Sequence, residues 1–477
     1  MNCEMSPRNR ELLILGILLV LGLLTRFFGI GYQSIWIDEG STFYFSHYSW
    51  EAFWSTPEPN PPVYYSMEGI FLDLLGQNEL ALRFTSAIAG AISVPLIYIL
   101  SMRLFHSRPA ALVSSVLLLL SPICLFYGQE ARGYMIVLMI FIIQIMVLLK
   151  ALDSGMNRYW LLFAVISALQ FTMQYTGIMA TFTLYVCAAY RCLKDGFSKD
   201  RYRVPKQILW SGLFFLLLIS PLMTKYLYDN TFVITESHRW SWCFVGIEYT
   251  INHLNDLLFG VPFSFILLPL AVLGAYLCFK KDRDSSIILC IIMFFPLFVL
   301  TMESLKSNVT PRYALWSAVG FYLMIPYGVH ELESRGLLNK KTVAAVSAAL
   351  IVIAAVILPV YYTDVTKEDF RTGAAVLEDN VRPGDLVLYA VGTENPVYAC
   401  ISFYYDPAAE GIDTRGVMSN EEFWAILDSG GYGTVYILIL SDYDPYDYLM
   451  HVESDKCERI CDAYRISVFR ITGPLPH

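Results

Sequence analysis

Charge is what this chain has least of. Only 16% of its 477 residues are Asp, Glu, Lys or Arg, where a soluble protein carries about 25%. A water-soluble fold of this length is thereby excluded. No glycine-rich phosphate loop follows a strand, and Asp442-Tyr443-Asp444 reads as a surface turn in an acidic tail. A soluble nucleotide-sugar site is therefore not expected, nor is a nucleotide cofactor. Cys457 and Cys461 make no C-x-x-C pair and have no histidine cluster beside them, which argues against structural zinc. With Cys400 they leave room for one disulfide. Residues 11–29 end at Thr25-Arg26 rather than at a small-residue cleavage site, so they read as a retained anchor and not a removed signal peptide.

What the chain has instead is apolar length. It is 56% hydrophobic, with mean hydropathy +0.51. Runs of 18 or more mostly apolar residues recur at 11–29 and near 81–104, 109–127, 134–152, 158–173, 175–192, 206–224, 259–279, 285–302, 312–330 and 342–361. The reading is a polytopic α-helical membrane protein of about eleven spans, with the break at 174–175 the weakest divider. Loops 103–108, 150–158, 191–206, 280–284 and 331–341 hold 16 of the 25 lysines and arginines of residues 1–361. The positive-inside rule then puts the N-terminus in the cytoplasm of a multi-pass plasma-membrane protein.

That orientation places residues 362–477 outside the cytoplasm. This tail has 20 acidic and 8 basic residues, net −12 against −9 for the whole chain, which leaves residues 1–361 at +3. The acidity argues against a nucleic-acid partner. Phe370 to Leu377 and Glu421 to Leu427 read as helices, Asp385 to Ala390 and Thr434 to Leu440 as strands, with Pro383-Gly384 turning into the first. A small extracytoplasmic α/β domain is expected, following a transmembrane domain over 1–361.

Chemistry is expected in the outer loops. The first, residues 30–80, opens with Asp38-Glu39 and holds Trp36, Trp50, Trp54 and Asn60-Pro61-Pro62-Val63-Tyr64-Tyr65. Its aromatics and charges fit helices lying in the membrane interface. The second holds Tyr127-Gly128-Gln129-Glu130-Ala131-Arg132-Gly133-Tyr134, the third His238 and Arg239, and the fourth ends in Pro311-Arg312-Tyr313. Carboxylates beside lipid suit a reaction on a lipid-borne phosphate, as base or metal ligand.

These strings, with Leu80-Ala81-Leu82-Arg83-Phe84-Thr85-Ser86-Ala87, resemble the GT-C type integral-membrane glycosyltransferases. The likeness is to the protein O-mannosyltransferase and aminoarabinose transferase group, family 39. It covers about residues 1–330, with family-like Asp369-Phe370-Arg371 and Pro383-Gly384-Asp385 in the tail. The resemblance implies a GT-C-like fold and transfer of a hexose or pentose from a polyprenyl-phosphate donor in the bilayer. The acceptor would be an extracytoplasmic protein, lipid or glycan.

By the same resemblance Asp38 is the catalytic base. Glu39 orients it or ligates a divalent cation, or is a bonded structural carboxylate. Glu130 is a second acidic position for cation or acceptor, or a surface pair with Arg132. Arg132 and Arg312 bind the lipid phosphate, since a guanidinium can bond two oxygens; Arg312 equally reads as a snorkelling residue. Tyr127, Tyr134 and Arg239 fall to substrate binding. His238 joins Glu39 and Glu130 as a metal-ligand candidate, against a plain interfacial reading. Two departures stand out: Asn60 where relatives have His, and Gly133 where they have Pro. The alternative class is a transporter or flippase of a lipid-linked or small solute. Transporters carry ionisable groups near the bilayer midplane, and these spans are nearly free of them.

Overall fold

The computed structural model describes residues 6–56, 60–194, 203–230, 242–304, 310–390, 394–417, 419–429, 431–440 and 456–472. The chain forms two compact units. One comprises Met1–Phe28, Trp50–Tyr64 and Thr85–Thr363; the other comprises Gly29–Ser49, Tyr65–Phe84 and Asp364–His477. The acidic tail thus shares its unit with two pieces of the first outer loop.

The first unit is helical. Every apolar stretch read from the sequence forms a helix, from Pro7–Phe27 to Lys340–Thr363, and the break near 174 falls between Met173 and Gly177. Among the described residues six helices are long and apolar enough to cross a bilayer, or seven if Arg108–Leu120 and Pro122–Gly128 make one path bent by 56°. Eleven are not reached on length and apolarity alone. Asn157–Met173 and Ala318–Ser334 have 17 residues each. At 1.5 Å per residue they run about 25 Å, short of the ~30 Å hydrocarbon core. Outward faces such as Leu216, Leu217, Val352 and Val356 are exposed and apolar, as lipid contact requires. The chain is an integral membrane protein.

Between apolar helices, close packing and buried hydrogen bonds replace the hydrophobic drive. Gly274 and Gly328 let Ser264–Lys281 cross Ala318–Ser334: a Cβ on Gly274 would lie 2.0 Å from the Met324 carbonyl oxygen. Gln144 donates to Ser167 at 3.0 Å and Thr181 at 3.2 Å, tying three helices together.

The bend at Ser121-Pro122 has a local cause. Pro122 has no N–H to give the Leu118 carbonyl, four residues back. Arg26 makes up the loss: Nη2 donates to Leu118 O at 2.9 Å and Nη1 to Leu119 O at 2.6 Å. Its stem runs past Gly90 and Gly128, where a Cβ would come within 3.2 Å and 3.1 Å of it.

The second unit contains a five-stranded sheet. The strands are β1 Leu386–Ala390, β2 Asp413–Val417, β3 Thr434–Leu440, β4 Cys457–Ala463 and β5 Ile466–Thr472, in the order β2-β1-β3-β5-β4. β2, β1 and β3 are parallel, joined by the crossover helices Glu394–Ser402 and Asn420–Ser429. β5 runs antiparallel to β3 and β4. Leu386, Leu388, Ile437 and Phe423 form its core. Cys400, Cys457 and Cys461 are free thiols, so the disulfide left open by the sequence is not made.

Candidate active site

Asp38 and Glu39 occupy the first turn of the helix Ile37–Ser46, where the positive end of the helix dipole favours anions. Adjacent side chains on a helix diverge by about 100°, and their environments separate accordingly. Glu39 is fully buried while Asp38 stays half-buried. The Glu39 carboxylate accepts from Arg83 Nε and Nη2, both at 2.7 Å, and from Lys367 Nζ at 3.0 Å. Arg83 spends its remaining N–H groups on the carbonyls of Ile30, Gln33 and Ser34 at 2.6–2.9 Å. All five donors of the guanidinium are thereby used.

The segment before Asp38 is fixed to the tail as well. Gln33 Oε1 accepts from the backbone N–H of Thr366 at 2.9 Å and of Lys367 at 3.0 Å. Tyr404 O–H donates to Glu79 at 2.8 Å and accepts from the Ile35 N–H at 2.9 Å. Gly40 follows the pair because nothing larger fits: a Cβ there would lie 2.3 Å from Cys400 Sγ and 2.6 Å from the Pro396 carbonyl oxygen. Burial, and then the carboxylates of Glu368, Glu39 and Asp38, push the Cys400 thiol well above its usual range, so it is inert.

In the first unit, the Tyr127–Tyr134 loop is built from the inside. Gln129 Nε2 donates to the carbonyls of Arg26 at 3.0 Å and Phe28 at 2.7 Å, and its Oε1 accepts from Tyr361 O–H at 2.9 Å. Glu130 and Arg132 are buried, so they are not an exposed surface pair. Ser86 donates to the Arg132 carbonyl at 2.9 Å. Gly133 packs on the end of Asn157–Met173, a Cβ there lying 2.7 Å from the Met173 carbonyl oxygen. Asn60 accepts from Gln174 Nε2 at 3.1 Å.

Four predicted residues converge here. The Tyr127 and Tyr134 rings meet edge to face at 5.3 Å. The Arg312 guanidinium lies 5.6 Å from the Tyr134 ring centre and 5.8 Å from that of Tyr313. Tyr127 is within electrostatic reach of both Glu130 and Arg312. Instead of continuing an α-helix, Pro311–Ser317 is a 3-10 turn that carries Arg312 into this group.

Residues 59–224 match the family model described as dolichyl-phosphate-mannose-protein mannosyltransferase. The fold matches ArnT from Cupriavidus metallidurans in the apo state, with TM-score 0.65 and 11% identity over 98% of this chain and 100% of that one. The match to ArnT bound to undecaprenyl phosphate has TM-score 0.62, with the same identity and coverage. The resemblance to family 39-like GT-C glycosyltransferases holds. At this identity the structural likeness establishes the fold, and the family model matches residues 59–224, after the Asp38-Glu39 pair. No curated protein sequence matches the chain.

Within this GT-C frame, Arg83 and Lys367 are the residues the sequence did not assign. Arg83 stood inside a family-like string, but its partner lies 44 residues away and Lys367 328 from Glu39. His238 and Arg239 lie outside the described residues. Among the described residues no group of three His, Cys, Asp or Glu side chains is arranged to hold a metal ion. The neighbours of Glu39 are cations, a donor set that does not suit one.

Asp256, on the helix Trp242–Leu257, is a further carboxylate without a prior role. Desolvation raises it from its ordinary 3.8 to about 6. The folded protein therefore holds this proton more tightly than the unfolded chain. The resulting stability is complete below pH 3.8 and is lost as pH rises through about 6. The unfolding temperature of the wild type is expected to fall relative to Asp256→Asn across that window. Parallel curves would refute the shift.

Proposed function

We propose that this protein transfers a hexose or pentose from a polyprenyl-phosphate donor to a hydroxyl of an extracytoplasmic protein, lipid or glycan. The observation that carries the reading is the fold shared over 98% of the chain with ArnT, one of whose structures holds undecaprenyl phosphate. The family-model match over 59–224 supports it. The N-terminus is assigned to the cytoplasm and the tail to the outside by the distribution of basic loops.

In this reading the acceptor oxygen bonds the anomeric carbon as its proton passes to the Asp38 carboxylate. The bond from that carbon to the phosphate oxygen breaks, and its electron pair leaves with the lipid phosphate. Asp38 suits the role of base because it is partly accessible at a helix N-terminus, which favours its anionic form. Glu39, bonded to Arg83 and Lys367, keeps that helix in place. Arg312 and Arg132 receive the phosphate charge. Cation–π contact with Tyr134 and Tyr313 helps hold the Arg312 guanidinium, which can bond two phosphate oxygens at once. Glu130, with Tyr127, serves the acceptor side.

The test is incubation of the purified protein with a panel of polyprenyl-phosphate sugars and candidate acceptors, with products read by mass spectrometry. One or more donors should add a hexose or pentose mass to an acceptor. Arg312→Ala is expected to raise the donor KM about tenfold or more, the worth of a charge-assisted hydrogen bond. Solute movement across liposomes with no transfer from any donor would replace this reading with the transporter alternative.

A further inference from the structure

The helix Trp242–Leu257 presents Tyr249, His253 and Asp256 at spacings of four and three, which puts them on one face. No role above uses them. Tyr249 O–H donates to the Thr310 carbonyl at 3.4 Å, two residues before Arg312. The same helix packs on Pro311–Ser317, which carries Arg312, and on Pro122–Gly128, which carries Tyr127. The charge of Asp256 is felt at both Tyr127 and Tyr249. Asp256 therefore belongs to the neighbourhood of the proposed phosphate ligand, although nothing in the sequence singled it out.

Accessibility sorts these side chains into a wall and a floor. Asp256 is accessible, and Tyr249, Tyr127 and Arg312 are partly so. His253 is fully buried, stacked nearly parallel on Tyr249 at 5.9 Å and 19°. Neither of its ring nitrogens has a hydrogen-bond partner among the described residues. Desolvation keeps this imidazole neutral, with its pKa lowered to about 3, so it brings no cation to Asp256. Asp256 is thus an accessible side chain whose carboxyl is partly desolvated by the elements its helix packs on, the turn of Arg312 and the helix of Tyr127. A carboxylate within electrostatic reach of phenol rings suits a carbohydrate, since its two oxygens accept from neighbouring ring hydroxyls and aromatic faces pack against the C–H side of the ring.

We infer that Asp256, Tyr249 and Tyr127 line the subsite for the sugar of the donor, beside the phosphate held at Arg312. The inference rests on the proposed transferase reading and deepens it. Asp256 is a specificity residue here: it bonds sugar hydroxyls and takes no part in breaking the bond. His253 is the packed floor beneath Tyr249.

The experiment compares binding of undecaprenyl phosphate, bare and carrying a hexose or pentose, to the full-length wild type and to Asp256→Asn. The wild type should bind the sugar-bearing lipid more tightly. Asp256→Asn should lose about tenfold or more of that increment while binding the bare lipid as before. A donor lacking the contacted hydroxyl should show the same loss in the wild type and no further loss in the variant. Equal loss for both lipids, or a wild type that does not distinguish them, overturns the subsite. If transfer proceeds and Asp256→Asn leaves sugar-lipid binding unchanged, the subsite falls while the transferase reading stands. Failure of every polyprenyl phosphate to bind or react removes both.

Discussion

Asp38→Asn is expected to abolish sugar transfer while leaving the protein folded. Removing a positioned base typically costs 10²–10⁴-fold in rate, and an amide of the same shape cannot take the acceptor proton. The surroundings should not move. The helix Ile37–Ser46 is held by the neighbouring Glu39 through Arg83 and Lys367, and by the close approach of Gly40 to Cys400. None of those contacts uses the Asp38 side chain. Initial rates with a polyprenyl-phosphate sugar, measured beside thermal unfolding of the same preparations, separate chemistry from folding. Wild-type turnover in the variant would remove Asp38 as the base. An inactive variant with a lowered unfolding temperature would make Asp38 structural.

Glu39→Gln should give the opposite pattern, with a large loss of stability. Its carboxylate is the counter-charge of two buried cations, Arg83 and Lys367, which are about 2% and 5% exposed at the side chain. Breaking a buried pair by neutralising one partner costs about 3–5 kcal/mol, because the remaining charge stays out of water. That is a large share of the ~5–15 kcal/mol by which domains are stable. A marked fall in unfolding temperature, or protein that fails to accumulate, is expected. Lys367→Met should be milder, since the two-bond contact between Arg83 and Glu39 survives it. Equal unfolding temperatures for Glu39→Gln and wild type would show that the network adds nothing. These two variants of adjacent residues therefore test two different claims, one about reaction and one about folding.

The contrast also shows how far the sequence could be read. Apolar runs announce helices wherever a helix is buried in lipid or protein, so those stretches were legible even where the helices proved too short to count as spans. β1 and β3 were legible for the same reason: they are central and buried on both faces, and read as Leu386-Val387-Leu388-Tyr389 and Val435-Tyr436-Ile437-Leu438. β2 and β4 lie at the two edges of the sheet. Their exposed faces carry Asp413, Arg415, Glu458 and Arg459, which break the apolar pattern. β5 was missed too: Ser467, Arg470 and Thr472 interrupt its apolar run.

Residue type, loop placement and the family resemblance are what propose roles for Asp38 in the second unit and for Glu130 and Arg312 in the first. What could not be read was which carboxylate would be locked away. Glu39 is decided by Arg83 and Lys367, and contacts 44 and 328 residues away leave no local trace. Asp256 was silent for another reason. A lone acid in a loop of mixed polar and apolar residues looks solvated until the helices around it are placed.

The discontinuity of the second unit sets an order of events during synthesis. Glu39 is made early, but the lysine that completes its charge balance follows 328 residues later. At ~5–20 residues per second, the ribosome needs roughly 15–65 s to cover that distance. The loop, turn and helix partners of Gln33, Ile35 and Gly40 arrive with it or later still. The helix bearing Asp38 therefore reaches its final setting only when the last quarter of the polypeptide is made, and a chain truncated before residue 364 never completes it.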